Sequence, residues 1–210
     1  MALDLEEQEK LEALKAWWKQ YGNLVLLVVA AVALAVAGTQ AWRYYQRTQA
    51  LQASQLYDTL TRAVEAGDAK AMRDAGGALI ESYPRTLYAS MGALISARHS
   101  FDKGDLKNAK VQLQWVVERS RSEEFRDLAR LRLAAVLLDE KAYDEALKVL
   151  EVKAAEAFTA QVAALKGDVL VAKNQAAQAR AAYQFALDKA DKRNSAFRDS
   201  VRMRLEALGG

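Results

Sequence analysis

The sequence predicts an all-α protein with one membrane-spanning helix near its start, followed by stacked helical hairpins. Three observations predict this fold class. Good helix formers dominate the 210 residues, which include only one proline. An uncharged stretch of roughly bilayer length lies near the N-terminus. Beyond it, a turn signal recurs at nearly constant spacing, which is typical of proteins built from helical repeats.

The composition also narrows the possible functions. No run of alternating β-branched residues bounded by turn signals supports a strand. The 30 basic and 27 acidic residues are interspersed, and no one-sided basic stripe indicates a nucleic-acid partner. The absence of cysteine excludes disulfides and thiolate metal sites, and it is compatible with an oxidising compartment.

Residues 22–42 are the predicted transmembrane helix. Every residue from Leu24 to Ala37 is apolar, and the whole stretch carries no charge. At about 1.5 Å per residue it reaches about 30 Å, the thickness of the hydrocarbon core of a bilayer. Aromatic residues at both ends are expected to anchor the helix at the two membrane surfaces. These anchors are Trp17, Trp18 and Tyr21 on one side, and Trp42, Tyr44 and Tyr45 on the other.

Two other interpretations of this segment compete with a transmembrane helix. A buried core helix could be as apolar, but little else in the chain is hydrophobic enough to surround it. A cleavable signal peptide is suggested by Ala35-Val36-Ala37, which resembles a cleavage site. The preceding tail is long and acidic, however, and no polar spacer precedes the site. The sequence therefore favours an uncleaved anchor.

The basic residues near the membrane give a modest prediction of orientation. Lys10, Lys15 and Lys19 precede the span, whereas Arg43 and Arg47 follow it. The positive-inside rule therefore places the N-terminus in the cytoplasm. We expect residues 1–21 to be a cytoplasmic tail with an amphipathic helix, and residues 43–210 to be an exported domain. The inverted topology stays open.

The exported part contains a recurring turn signal. Its aligned positions are Gly67, Gly104, Lys141 and Asn174, separated by 37, 37 and 33 residues. Glycine and asparagine tolerate the left-handed conformation that ends a helix. Lysine does so poorly, so the turn at Lys141 is expected to take another form.

Small or flexible apolar residues follow each turn by five positions, where they let two helices approach closely: Met72, Ala109, Ala146 and Ala179. A helical hairpin repeated about every 34 residues resembles the tetratricopeptide repeat, with the best match from Tyr143 to Leu150. The stretch from Ser195 to Leu208 is the predicted capping helix of about four degenerate hairpins. A generic helical bundle is the alternative.

Stacked hairpins of this kind curve around a concave surface that binds peptides or partner helices. If the repeat holds, the first helices of the hairpins turn a mixed set of side chains towards that groove. The candidate residues are Leu94, Arg98, Phe101, Leu131, Leu138, Asp168 and Val171. The alternative is that several of them only pack between repeats.

No pattern in the chain indicates catalysis. The single histidine, His99, has no second histidine or cysteine with which to build a metal site. No nucleophile elbow and no phosphate-binding glycine loop is present. We therefore predict a protein that is not an enzyme, with no catalytic, cofactor-binding or metal-binding residues.

The stretch 12–45 also carries a family resemblance. Glu12-Ala13-Leu14-Lys15-Ala16-Trp17-Trp18-Lys19-Gln20-Tyr21-Gly22, an apolar span and then Gly38-Thr39-Gln40-Ala41-Trp42-Arg43-Tyr44-Tyr45 resemble the ancillary subunit of the bacterial Sec translocon. The resemblance implies an inner-membrane anchor and a periplasmic tetratricopeptide-like domain. The span lacks glycine between Gly22 and Gly38, which departs from the expected pattern and makes close helix packing in the membrane less evident.

The same resemblance implies partners and a function. The partners would be the SecYEG translocon, a membrane-anchored periplasmic chaperone of the peptidyl-prolyl isomerase type, and exported client proteins. The protein would help to pass these clients to periplasmic chaperones, and no catalytic residue is implied. Two alternatives remain: a membrane-tethered scaffold for another envelope complex, or a cytoplasmic-facing regulator with inverted topology.

Overall fold

A computed structural model describes the backbone of residues 2–209 and the side chains of residues 7–209. Met1 and Gly210, the outer limits of the predicted tail and domain, lie outside it. Within the described residues the chain forms nine helices and no strand, so the prediction of an all-α fold is confirmed. It divides into two compact units, of which the first ends at Gln49 and the second begins at Ala50.

The helices are α1 (Ala2–Ala66), α2 (Ala69–Ser82), α3 (Leu87–Asp102), α4 (Leu106–Arg119), α5 (Glu123–Asp139), α6 (Tyr143–Leu150), α7 (Glu156–Ala172), α8 (Ala176–Lys189) and α9 (Ser195–Glu206). The end of α1 forms a hairpin with α2, and three further hairpins pair α3 with α4, α5 with α6, and α7 with α8. Helix α9 packs against α8 and caps the series. The described second unit thus has the predicted architecture of four hairpins and a cap.

The first unit is the part of α1 that ends at Gln49. Its apolar stretch is long enough to cross a membrane, and most of the side chains of that stretch are exposed, as shown by Leu34 at 74%. The predicted anchors cluster at both ends, where the rings of Trp17 and Tyr21 lie 5.8 Å apart and those of Trp42 and Tyr45 lie 6.0 Å apart. Because α1 continues unbroken past residues 21 and 42, the limits of the span stay a prediction.

The four hairpin turns share one backbone geometry. Their central residues all have positive φ, from 58° at Asn174 to 77° at Gly104. In each turn the next N–H donates to the carbonyl five residues earlier, for example Asp105 to Ser100 at 2.8 Å and Ala142 to Leu137 at 2.8 Å. This is the hydrogen bond that closes a Schellman motif.

The expectation that Lys141 needs a different turn is wrong. Its φ is 62°, close to the value of 68° at Gly67. A residue with a Cβ pays about 1–2 kcal/mol in this conformation. The helices on either side already impose the turn, and its closing hydrogen bonds satisfy helix carbonyls that would otherwise lack partners. Hairpin packing therefore overrides the local preference of lysine.

Aspartates after the first two turns start the next helix. The carboxylate of Asp68 accepts from the N–H groups of Lys70 and Ala71 at 3.0 Å, and that of Asp105 accepts from Asn108 at 3.1 Å. Such caps satisfy backbone donors that have no partner within the helix. The third and fourth turns lack a side-chain cap, so the shared geometry does not depend on one.

The residues that follow each turn lie in the core, as predicted. Ala109, Ala146 and Ala179 are fully buried, and Met72 is 3% exposed. Buried residues form three clusters along the second unit, and each cluster joins neighbouring hairpins. The hydrophobic core is therefore continuous along a stack rather than gathered in one centre.

The carboxylate of Asp168 links the two helices of the last hairpin to the capping helix. Tyr183 is 2% exposed, and its hydroxyl donates to Oδ1 of Asp168 at 2.7 Å. Arg204 of α9 donates to Oδ2 of the same carboxylate at 2.8 Å. Burial, followed by the hydrogen bond to Asp168, raises the pKa of the Tyr183 phenol above its ordinary value. Its ring lies against Gly167, where an added Cβ would come within 2.5 Å of Cδ1.

The turn geometry predicts opposite effects for two substitutions. Lys141→Gly removes the left-handed strain and should raise the free energy of unfolding by about 0.5–1 kcal/mol, since the more flexible unfolded chain offsets part of the gain. Gly104→Ala introduces that strain and should lower it by about 1–2 kcal/mol. Urea unfolding of the full chain in detergent micelles, followed by circular dichroism, measures both. A destabilising Lys141→Gly would contradict the shared turn.

The contact at Tyr183 predicts that Gly167→Ala lowers the free energy of unfolding by about 1–3 kcal/mol, because the ring must move. The matched control is Gly77→Ala, since a Cβ on this helical glycine would meet nothing within 4 Å. The control should be neutral or stabilise the protein by up to about 1 kcal/mol. Equal effects of the two substitutions in the same urea titration would refute the close contact.

Candidate protein-binding groove

The second unit contains a groove of about 530 Å³ between the first helices of three successive hairpins. Its walls come from the end of α1, from α3 and from the middle of α5. The lining side chains are Tyr57, Thr61, Val64, Glu65, Met91, Leu94, Ile95, Arg98, His99, Asp102, Leu128 and Arg132. In a stack of helical hairpins, this row of helices lines the concave, partner-binding surface.

Helix α3 forms the middle wall of the groove, because the residues along one side of this helix line the groove. Leu94, Arg98 and Asp102 are spaced four residues apart and form one row on the helix surface. The row begins with a buried apolar side chain and ends with exposed charged ones: Leu94 is 5% exposed, whereas the side chain of Arg98 is 71% exposed. The groove therefore has an apolar floor and a polar edge, a combination suited to an amphipathic segment.

Two arginines supply the positive charge of the polar edge, beside the carboxylates of Glu65 and Asp102. Nε of Arg98 donates to Asp102 at 2.8 Å in an exposed ion pair. Arg132 is half-buried, and the structure gives its guanidinium one polar partner among residues 7–209, the carbonyl of Leu94 at 3.5 Å. Loss of solvent, and then the positive charge of Arg98, lower the pKa of Arg132. A carboxylate brought into the groove would relieve this unfavourable environment.

The structure brings two of the seven predicted groove residues, Leu94 and Arg98, to this groove. Phe101 and Val171 are exposed elsewhere on their helices, at 37% and 39%. The remaining three have internal partners: Leu131 and Leu138 pack against the central core cluster, and Asp168 bonds with Tyr183 and Arg204. The binding role of all seven, like that of the six membrane anchors, stays a prediction.

Sequence reasoning did not identify the outer walls of this groove. Tyr57 and Val64 belong to α1, whose end acts as the first helix of a hairpin. The turn at Gly67 was the available signal, because it implies a helix before it as well as after it. On α5, Leu131 was predicted to line the groove, but its neighbour Arg132 does so instead.

The groove offers contacts rather than reactive chemistry. His99 lines it, but among the described residues no three His, Asp or Glu side chains are grouped so as to hold a metal ion. The groups present include apolar side chains, the exposed Arg98–Asp102 ion pair, the Glu65 carboxylate and the half-buried guanidinium of Arg132. Such an arrangement can bind a peptide segment or a helix of another protein.

Comparisons with known proteins agree with this architecture. A family model described as a tetratricopeptide repeat-like domain matches residues 15–210. A Haemophilus influenzae protein named ancillary SecYEG translocon subunit is 33% identical over 189 residues, which cover 89% of this chain and 91% of the relative. A protein of the same name from Neisseria gonorrhoeae is 32% identical over 212 residues, covering 99% and 100%.

A third relative of that name, from Escherichia coli, is 29% identical over 178 residues and covers 85% of each chain. The similarity thus includes the apolar helix as well as the stacked hairpins. The chain therefore belongs to the family of ancillary SecYEG translocon subunits, non-catalytic adaptors with a tetratricopeptide repeat-like domain.

Proposed function

We propose that this protein is an adaptor that associates with the SecYEG translocon in the bacterial inner membrane. The observation that carries the proposal is the end-to-end match to relatives named as ancillary subunits of this translocon. The apolar helix at residues 22–42 anchors the protein beside the channel, and the described second unit supplies the surface on which other proteins assemble.

The adaptor domain, residues 43–210, lies in the periplasm and the tail, residues 1–21, in the cytoplasm. Three lysines precede the span and two arginines follow it, which supports this orientation by the positive-inside rule. A chain without cysteine is also suited to an oxidising compartment, because it cannot form wrong disulfides.

The concave groove binds segments of exported clients or of a chaperone. Its apolar floor at Leu94 and Ile95 takes apolar side chains, while Arg132 and Arg98 attract a carboxylate. A membrane-anchored periplasmic chaperone of the peptidyl-prolyl isomerase type is the proposed recipient of the clients. Weak and short-lived binding suits such a transfer, because an exported chain must be released as well as bound.

The association is tested by purifying the full chain, tagged at its C-terminus, from its own membranes in mild detergent. Mass spectrometry should find SecY, SecE and SecG enriched together with the chaperone. Arg98→Glu should reduce recovery of the chaperone or of clients and leave the channel subunits, because it reverses a charge at the groove edge. Met203→Asp is the control, since Met203 lies outside the groove and is 65% exposed.

Two results would contradict the proposal. Channel subunits at background, with another envelope complex enriched, would remove the assignment to the translocon. Equal recovery of all partners from Arg98→Glu and from the Met203→Asp control would leave the association with the channel but remove the role of the groove.

The orientation predicts which side of the membrane a labelled residue occupies. Because the chain has no cysteine, Glu9→Cys and Arg193→Cys each create a single thiol at an exposed position. A membrane-impermeant maleimide added to cells with a permeabilised outer membrane should label the variant at position 193, and the variant at position 9 only after lysis. The reverse pattern would establish the inverted topology.

A further inference from the structure

The third hairpin differs from the others in the length of its second helix. Helices α2, α4 and α8 each contain 14 residues, whereas α6 contains eight. At 1.5 Å per residue, α6 is about 9 Å shorter than its counterparts. Elsewhere in the stack, the second helix packs along the first helix of the next hairpin, as α4 does on α5.

A second groove, of about 610 Å³, lies beyond the early end of α6. Its walls are residues 150–154, α7 and α8. Much of the lining is apolar, and two large side chains remain accessible, with Val152 exposed by 48% and Phe185 by 47%. The groove therefore lies where the last turns of a full-length α6 would have covered the first half of α7.

A buried carboxylate holds the segment that follows α6 away from a helical path. Asp127 is 3% exposed, and its Oδ2 accepts from the backbone N–H of Ala155 at 2.7 Å. Its Oδ1 accepts from Arg130 at 2.6 Å. The segment contains Glu151, Lys153 and two alanines, all good helix formers. A tertiary contact, rather than the local sequence, thus fixes the extended conformation of Ala155 and keeps the groove open.

The rim of this groove is basic. Lys153 and Lys166 are exposed lining residues, and neither forms an ion pair within residues 7–209. Lys189 lies over the ring of Phe185, 5.6 Å from its centroid. The carboxylate in the lining is that of Glu151. Positive charge therefore exceeds negative charge around an apolar floor.

We propose that this second groove binds an amphipathic α-helix of a partner protein, with its apolar face on Val152, Val162 and Phe185. Acidic residues beside that face pair with Lys153 and Lys166. The partner helix supplies about two turns of packing in the place where α6 stops, because α6 has 8 residues where α4 has 14. This site is separate from the concave groove and shares none of its lining residues.

Fluorescence anisotropy of the full chain in detergent micelles tests the site. The probe is a 14-residue hydrocarbon-stapled helix with leucines at i, i+3, i+4 and i+7 and glutamates beside them. A charge-reversed probe carries lysines instead, and a scrambled probe distributes the leucines around the helix. Two exposed charge pairs contribute together about 1.4 kcal/mol, so the acidic probe should bind about tenfold more tightly than the charge-reversed one.

Reversing the charge of the two lysines distinguishes specific binding of the probe from non-specific hydrophobic binding. The double variant Lys153→Glu with Lys166→Glu should reverse the preference and favour the lysine probe. Phe185→Ser should weaken binding of both probes, whereas Met203→Ser, at an exposed apolar position outside this groove, should change neither affinity. Circular dichroism of each variant confirms that it is folded.

Three results would overturn the proposal. Unchanged probe preference in the double variant would exclude the lysines from the site, and tight binding of the scrambled probe would indicate non-specific hydrophobic capture. Sedimentation in the same detergent could show instead a dimer that Phe185→Ser dissociates, in which case the groove joins two copies of this chain. None of these results affects the proposed association with the translocon, which the recovery of SecY, SecE and SecG tests, or the proposed role of the concave groove, which Arg98→Glu tests.

Discussion

The repeat domain depends on reversal of the chain between two helices within two or three residues. At each hairpin turn a residue with positive φ makes this possible, and the closing hydrogen bond fixes the exit of the next helix. The helices leave such a turn so close together that alanines, or the flexible Met72, occupy the first buried position. The stacking of hairpins, and with it both grooves, follows from this local geometry.

The same constraint explains how much of the fold could be predicted from the sequence. Three of the four turns carry glycine or asparagine, the residues that accept positive φ most readily, so their spacing was informative. Lys141 shows the limit of that reasoning, because tertiary packing imposed the conformation on an unfavourable residue. The early end of α6 was also beyond prediction, since it depends on Asp127, 28 residues before its partner Ala155.

The concave groove was predictable only in part, for a related reason. On α3, Leu94 and Arg98 form a graded row that indicated the correct face. On α5, apolar residues occur around much of the helix, so periodicity did not select one face. The choice of Leu131 instead of Arg132 rotates the helix by about 100°. The half-buried position of Arg132, whose guanidinium has one polar partner in the described part of the chain, is visible only when the surrounding side chains are known.

The nearest-neighbour character of the stack has a kinetic consequence. The extensive contacts among α2 to α9 join helices that are one or two positions apart in the chain. A domain with such local contacts loses little loop-closure entropy before each new contact forms. Each hairpin can therefore gain native structure while later ones are still being synthesised. In the orientation proposed above, with the repeat domain in the periplasm, the subunit would need little help in folding as it leaves the channel.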